Sequence, residues 1–442
     1  MMTVTSRAIP QNKADLDHAG ITLPYIADTS VLSDCVKIHR QTIPNRIVYQ
    51  AMEGCDGTAE GRPDSLTFRR YRRFAAGGPG IIWVEATAVL EEGRANPRQL
   101  FLNPNTLDSF SHLVSAIKEE CFRNNGFEPF VAVQLTHSGR YSKPNGTPAP
   151  LIAYNNPVFE GDHPLDSACI VTDDYLDTVG EYLAEGARLA QKAGFDAADI
   201  KSCHRYLLCE LLSAYTRPGK YGGSFVNRTR LLRETVANAV QNCSGDFVIA
   251  SRLNIYDGFP YPYGFGISPD GGSTPDYAEP KALVAALADS GLQLLNLTMG
   301  NPYLNPHVNR PFSKGPYIPD EPPLQDVERL LTGIREVTAA SRAPTVCSGL
   351  SFLGGVSPHV AAACIKEGWF AFAGYGREAF AYPNIARDIC SRRELSAGHF
   401  CIACSKCSEL MRAGGTTGCV VRDSEEYLPL YKQYVLKNTM EA

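Results

Sequence analysis

Four cysteines near the C-terminal end are spaced Cys401-x2-Cys404-x2-Cys407-x11-Cys419. Close cysteines repeated at this interval wrap the backbone around a metal centre, and a distant fourth closes it. A [4Fe–4S] cubane takes such a set of thiolates, and tetrahedral zinc takes the same four. Gly414, Gly415 and Gly418 give the closing loop the freedom to bring Cys419 back, which argues against uncoordinated thiols. The chain holds 14 cysteines in all. The others are scattered, and residues such as Cys121, Cys243 and Cys364 read as small buried apolar side chains in a reducing compartment.

A second set of chemical groups closes a series of short apolar runs: Glu53, Glu85, Gln134, Lys201, Arg252 and Ser348. Burying so many polar groups costs several kcal/mol unless each is paired, and a bound polar ligand would pair them. The competing reading pairs Lys201 and Arg252 with Glu53 or Glu85. Gly374-Tyr375-Gly376-Arg377 closes the last run and opens a helical pattern. Glycines let backbone approach an anion, helix N–H groups point at it, and an arginine adds a bidentate donor. With the neighbouring Ser348-Gly349 turn, this is a candidate phosphate site.

The elements that must position these groups are short strands at residues 46–52, 80–85, 130–135, 197–201, 247–253, 292–298, 344–348 and 369–374. Helical patterns fall between them, including 174–193, which starts from an Asp cap, 227–242 and 281–290. Continuously apolar strands alternating with helices imply an all-parallel sheet, and eight such units imply an α/β (β/α)8 TIM barrel. Residues 1–390 would form the barrel, and 391–442 a Cys-rich extension packed on it. Two long loops, 139–173 and 256–280, follow strands and so lie over the C-terminal face, where barrel enzymes build their sites. The aromatics of the second (Tyr256, Phe259, Tyr261, Tyr263, Phe265) suit either a planar organic substrate or an ordered lid with its own small core.

The rest of the composition narrows the partners. Of 442 residues, 44% are apolar and 20% charged, as in soluble globular chains. Basic residues number 42 and acidic 47, a net charge of −5, so no positive field recruits nucleic acid. No apolar run reaches the roughly 18 residues of a membrane span; residues 80–90 come nearest and Glu85 interrupts them. The N-terminal stretch has no apolar leader core, so a cytoplasmic protein is expected.

The blocks NRIVYQAMEG, GIIWVEATAV, VAVQLTHSGR, ADIKSCHRYLL, YGGSFVNRTRLLRE, SRLN and GYGREAFAYPN resemble, in order, those of the old yellow enzyme family. The cysteine tail resembles the subgroup of 2,4-dienoyl-CoA reductase and trimethylamine dehydrogenase, which adds an iron–sulfur cluster to a flavin barrel. The resemblance implies an FMN enzyme that reduces activated C=C bonds with NAD(P)H. It implies that Ala51, Met52 and Ala86 line the flavin, Gln134 and Arg252 bind its pyrimidine side, and Ser348, Gly349, Gly376 and Arg377 hold its phosphate. His204 matches one of the family's two substrate-oxygen donors, Lys201 replaces the other, and Tyr206 matches the proton donor. Arg205 stands where the family has glycine. The implied substrate is a planar enone or enoate: flavone-like, as in bacterial flavone reductase-like members, cinnamate-like, a steroid enone or an enoyl thioester. Cys401, Cys404, Cys407 and Cys419 would hold [4Fe–4S], with zinc as the alternative. That centre would be fed by an external electron donor, since the further nucleotide-binding domains of the subgroup are not expected here, or be structural. A homo-oligomer is compatible with the family. Other chemistries open at this stage are a flavin-dependent amine demethylase or dehydrogenase, a Schiff-base lyase using Lys201, and a non-catalytic flavin- or metal-binding protein.

Overall fold

The computed structural model describes residues 8–437. The stretch read above for a leader begins in residues 1–7, outside those described. Eight parallel strands form one sheet: β1 (Ile47–Tyr49), β2 (Ile81–Ala88), β3 (Phe130–Thr136), β4 (Ala197–Ile200), β5 (Val248–Asn254), β6 (Leu294–Thr298), β7 (Thr345–Val346) and β8 (Ala373–Tyr375). From β1 to β7 each pairs with the next, and β8 pairs with β1 through Ala373–Ile47 and Tyr375–Tyr49. A bridge from Val346 to Phe372, just before β8, completes the ring. The expected TIM barrel is therefore the architecture.

Alternation explains how these strands sit. Ile81, Trp83, Phe130, Ala132, Val248, Ala250, Leu294 and Phe372 fill the barrel interior, floored by Ile38 and Ile43 of an N-terminal hairpin. Their neighbours Ile82, Val84, Val131, Val133 and Ile249 face outward under the helices. Both faces are buried, so the sequence shows unbroken apolar runs.

Helices α1 (Ser65–Ala76), α2 (Leu107–Asn125), α3 (Asp173–Lys192), α4 (Arg230–Asn242), α5 (Ala278–Asp289), α6 (Pro323–Thr338) and α7 (Ser357–Lys366) cover the outside, with α8 (Arg377–Ala381) and α9 (Ile385–Cys390) after β8. α3 buries Leu176, Val179, Leu183, Ala187 and Ala190 at helical spacing. Its cap is Thr172, whose hydroxyl accepts from the Tyr175 amide, and not an aspartate. The pattern over 227–242 breaks at Thr229 into a short turn, Phe225–Arg228, and α4. The last strand starts later than its apolar run suggests, because Trp369 closes the end of α7 with its amide on Cys364.

Beyond α9 the chain crosses the barrel mouth and forms α10 (Lys406–Arg412) and α11 (Ser424–Tyr431) around Leu410, Val420, Tyr427 and Tyr431. Asp423 takes Arg69 at 2.8 Å and also Arg73, both from α1. Gly54 O accepts from the Thr416 hydroxyl at 2.7 Å and the Thr417 amide at 2.8 Å. Of the scattered cysteines, Cys121 and Cys364 are buried, whereas Cys243 is only half-buried and Cys35 is exposed. Among the described residues no helix is long and apolar enough to cross a membrane.

Candidate active site

At the C-terminal end of the barrel lies a cavity of about 1090 Å³, its open mouth included. It is lined by Ala51, Met52, Ala86, Gln134, Lys201, His204, Tyr206, Arg252, Ser348, Gly349, Gly376 and Arg377, which are the barrel residues singled out from the sequence. Each stands at or just after a strand end, where the pleat turns alternate side chains inward.

Glu85 is not among them. The β2–β3 register breaks between Val84 and Ala86, so Ala86 faces the cavity and Glu85 turns out to α1. There it pairs with Arg70, which also holds Asp56, and it accepts from the Gly54 amide at 2.5 Å. Lys201 and Arg252 do not pair with Glu85 or Glu53: among the described residues neither has a carboxylate oxygen within 4.0 Å. Both are buried, at 4% and 6% exposure, and the Arg252 Nε has no partner. The cavity is thus left with unneutralised cations, which is the condition of a site that expects an electron-rich ligand.

One end is built for an anion. Arg377 donates one guanidinium N–H to Pro311 O at 2.7 Å, and its Nη1 is buried without a partner. Arg310 likewise leaves Nη1 buried and unpaired. Burial and the Arg377 charge push the Arg310 pKa down to about 10, the response of two adjacent guanidiniums lacking a counter-ion. Gly349 adopts φ +95°, a turn that favours glycine, and both it and Gly376 line this end of the cavity.

The middle of the cavity offers directional polar groups. Asp199 accepts from Trp83 Nε1 at 2.9 Å and from Gln134 Nε2 at 2.7 Å. The Gln134 amide nitrogen is therefore committed, and its oxygen is the atom free to accept from a ligand N–H. The Arg252 guanidinium contributes a positive charge on the same side, with its backbone amide held by Asp199 at 2.6 Å.

The far end carries Lys201, His204 and Tyr206. His204 and Arg205 both take left-handed backbone, φ 63° and 62°. Arg205 is fully buried and ties loops together, donating to Tyr154 at 2.9 Å, to Asp257 at 3.2 Å and to Ser213. This leaves His204 Nε2 buried and unpartnered beside the cavity. Burial, then Arg252, Lys201 and Arg310, hold the imidazole well below its usual pKa, so it is neutral near pH 7. The Tyr206 hydroxyl donates to Glu53 at 3.2 Å and shares a 2.9 Å hydrogen bond with Tyr303. Burial and the Glu53 charge raise Tyr206 well above the ordinary phenol range, so it stays protonated. Burial lowers the Lys201 pKa and raises that of Glu53.

The aromatics of loop 256–280 do not reach the cavity. Tyr256, Phe259 and Phe265 are buried: Tyr256 and Phe265 join the main core, and Phe259 packs edge-on at 5.4 Å against Phe159 of the other long loop, while Tyr261 is exposed. Aromatic surface comes instead from Tyr303, stacked on Tyr141 at 3.9 Å. Tyr303 and Arg310 belong to a third long segment, 299–322, that the sequence reading passed over; its Asn301-Pro302, Asn305-Pro306 and Arg310-Pro311 steps were the signal. Also missed is the part played by the tail: Cys407, Ser408, Met411, Arg412 and Thr417 form one wall of the cavity.

The four cysteines of the motif line a small void behind that wall, with Arg377 and Cys407 common to both spaces. Cys401 Sγ accepts from the Ala403 amide at 3.4 Å and Cys419 Sγ from the Arg422 amide at 3.3 Å, the N–H···S bonds that stabilise thiolates. Ala403 and Ser405 take φ 49° and 61°, bending the chain around the void. Among the described residues no three of these sulfurs lie within 4.8 Å of one another. Tetrahedral zinc with bonds of ~2.3 Å needs sulfurs ~3.8 Å apart, whereas the corners of a cubane hold them wider.

Residues 32–262 match the model of the NADH:flavin oxidoreductase / NADH oxidase family. The chain is 35% identical over 201 residues to an NADPH dehydrogenase of Halalkalibacterium halodurans, covering 44% of this chain and 55% of that protein. A 2-naphthoyl-CoA reductase in complex with 2-naphthoyl-CoA superposes with a TM-score of 0.73 at 19% identity, covering 89% of this chain and 57% of that one. Histamine dehydrogenase from Rhizobium sp. 4-9 superposes with 0.69 at 19% identity, covering 89% and 52%. At this identity the structural likeness speaks for the fold. The chain spans little more than half the length of these proteins.

Proposed function

The chain belongs to the NADH:flavin oxidoreductase / NADH oxidase family, and from this we propose an FMN-dependent oxidoreductase that uses NAD(P)H to reduce the C=C bond of an α,β-unsaturated carbonyl compound. Flavone-like, cinnamate-like and steroid enones are the candidate substrates. The observation that carries the reading is one cavity with an unneutralised Arg310–Arg377 pair at one end and Lys201, His204 and Tyr206 at the other.

When bound, FMN supplies hydride relay between the nicotinamide and the enone. Arg310 and Arg377 would hold its phosphate, Gln134 would accept from a ring N–H through its free oxygen, and Arg252 would place positive charge at its pyrimidine side. The neutral His204 imidazole and the Lys201 ammonium hold the substrate carbonyl oxygen and stabilise the negative charge that develops there. Tyr206, kept protonated by its surroundings, gives its proton to the α-carbon as general acid. Glu53 accepts the Tyr206 hydroxyl hydrogen in the resting state and so aims it.

We further propose that residues 1–390 and 391–442 are a barrel and a docked extension, and that Cys401, Cys404, Cys407 and Cys419 hold a [4Fe–4S] cluster. The Cys-x2-Cys-x2-Cys run with a distant fourth cysteine supports the cluster over zinc.

The experiment is an absorption spectrum of protein purified without oxygen, followed by addition of NADPH and then of cinnamaldehyde or 2-cyclohexenone. Flavin bands that bleach with NADPH and return with the enone are expected. Absence of flavin, or flavin that no enone reoxidises, overturns the reading. A second reading, a Schiff-base lyase, is favoured by the burial that lowers the Lys201 pKa. Borohydride trapping of a carbonyl compound on Lys201 in colourless protein would establish it instead.

A further inference from the structure

Tyr206 gives up a proton in every turnover proposed above, and it has little solvent of its own. It is 2% exposed and lines only the flavin cavity. With flavin and substrate seated there, its next proton must arrive through protein.

A second cavity opens beside the first. It measures about 1420 Å³ with its mouth, and its walls come from the loop after β2, the loop after β3 and the tail. Asn96, Arg98 and Lys143 make those walls polar, so the space admits water. Glu53, Tyr303, Met411 and Arg412 line both cavities and form the partition between them. Two of the four hydrogen-bond to the Tyr206 hydroxyl, Glu53 at 3.2 Å and Tyr303 at 2.9 Å.

Those two partners differ in what they can do with a proton. With the Tyr206 hydrogen directed to Glu53, Tyr303 donates to the Tyr206 oxygen. Burial and the Glu53 charge raise Tyr303 well above the ordinary phenol range, so it keeps its own proton. Glu53 is held in place by Asn96, whose Nδ2 donates to Oε1 at 3.0 Å, while Oε2 faces Tyr206. Burial raises its pKa against the pull of Lys201, towards the range in which a carboxyl both takes and gives protons.

We propose that Glu53 is a proton relay that recharges Tyr206 from water in the second cavity. The inference rests on Tyr206 acting as general acid. As hydrogen bonds to the α-carbon, the Tyr206 O–H bond breaks, and a second negative charge appears 3.2 Å from the Glu53 carboxylate. A like charge so close raises the proton affinity of the carboxylate, which takes a proton from water on its far side. That proton passes from Oε2 to the Tyr206 oxygen, and both groups are restored. Each turnover draws one proton from solvent, and buffer neutralises the hydroxide left behind.

Glu53→Gln keeps the shape of the side chain and an oxygen that accepts from Tyr206, but it cannot take up a proton and hand it on. Flavin-loaded protein, reduced with dithionite and mixed with 2-cyclohexenone, reports the first turnover, which uses the proton already on Tyr206. Steady-state NADPH oxidation with the same enone reports the turnovers that follow. A lost aim slows both alike, whereas a lost relay slows only the later ones. In the variant the steady-state rate should fall roughly tenfold further than the first-turnover rate. Acetic acid, small enough to enter the second cavity, should restore it in proportion to concentration and leave the wild type unchanged. Equal losses in the two measurements, an undiminished steady-state rate, or no rescue by acetic acid overturns the relay. Failure of any enone to reoxidise wild-type flavin overturns the ene-reductase reading and the relay with it, so the wild type alone tells the two failures apart.

Discussion

Lys201 lies over the face of Tyr206, its Nζ 3.6 Å from the ring centre. A cation so placed is attracted by the ring quadrupole, and the hydroxyl is left free to point elsewhere, in this case to Glu53 and Tyr303. The aromatic ring and the hydroxyl therefore have separable duties, one holding Lys201 and the other holding a proton.

Tyr206→Phe keeps the ring and removes only the proton. Flavin reduction by NADPH should stay within about twofold of wild type, while reoxidation by an enone should slow about 10²-fold, the usual scale for a lost general acid. Stopped-flow measurement of the two half-reactions checks this, and unchanged reoxidation removes Tyr206 from the mechanism.

The Arg310–Arg377 pair should read the ligand's phosphate and nothing else. Arg377→Gln or Arg310→Gln is expected to weaken FMN at least tenfold while riboflavin, which lacks the phosphate, binds as before. Quenching of flavin fluorescence measures both. Equal losses for the two ligands would place the arginines elsewhere.

For the cysteine motif the expected content of protein prepared without oxygen is about four irons and four acid-labile sulfides per chain. Cys404→Ser should lose them. Since Cys407 and its neighbours wall the flavin cavity, this variant should also release flavin more readily. Stoichiometric zinc, or no metal in the wild-type protein, contradicts the cluster.

Asp326 gives a pH dependence of stability. Its burial and the neighbouring Glu321 carboxylate raise it to about 8 against the opposing pull of Arg329, its ion-pair partner. The unfolded chain ionises near ~4, so the folded state keeps a proton that the unfolded state gives up. That contribution is complete below about pH 4 and is lost as pH rises toward 8. The melting temperature should therefore fall across this window, and Asp326→Asn, which imitates the protonated form, should flatten the slope. An unaltered slope in the variant refutes the assignment.

How much of this was legible depended on what carried the information. The barrel was, because strands buried on both faces must be apolar at every position, and strand-end polar residues then mark one rim. Glu85 was misplaced because the register break beside it is a backbone event with no residue signature, and one shifted residue exchanges the two faces. Arg205 could be seen to replace a glycine, but its role depends on Asp257, 52 residues further along. A left-handed arginine costs on the order of 1 kcal/mol, offset here by its buried partners. Arg310 escaped notice because no periodic element frames it; it is placed only by the crossing of segment 299–322 over the mouth.

The wall contributed by Cys407 to Thr417 also has a meaning in time. During synthesis β1 and Gly54 leave the ribosome more than 350 residues before the threonines that bond to Gly54, Thr416 at |i−j| of 362. Until then the wall formed by Cys407 to Thr417 is missing from the pocket. The docking of the tail through Asp423 supplies that wall last, so the final shape of the cavity depends on the end of the chain.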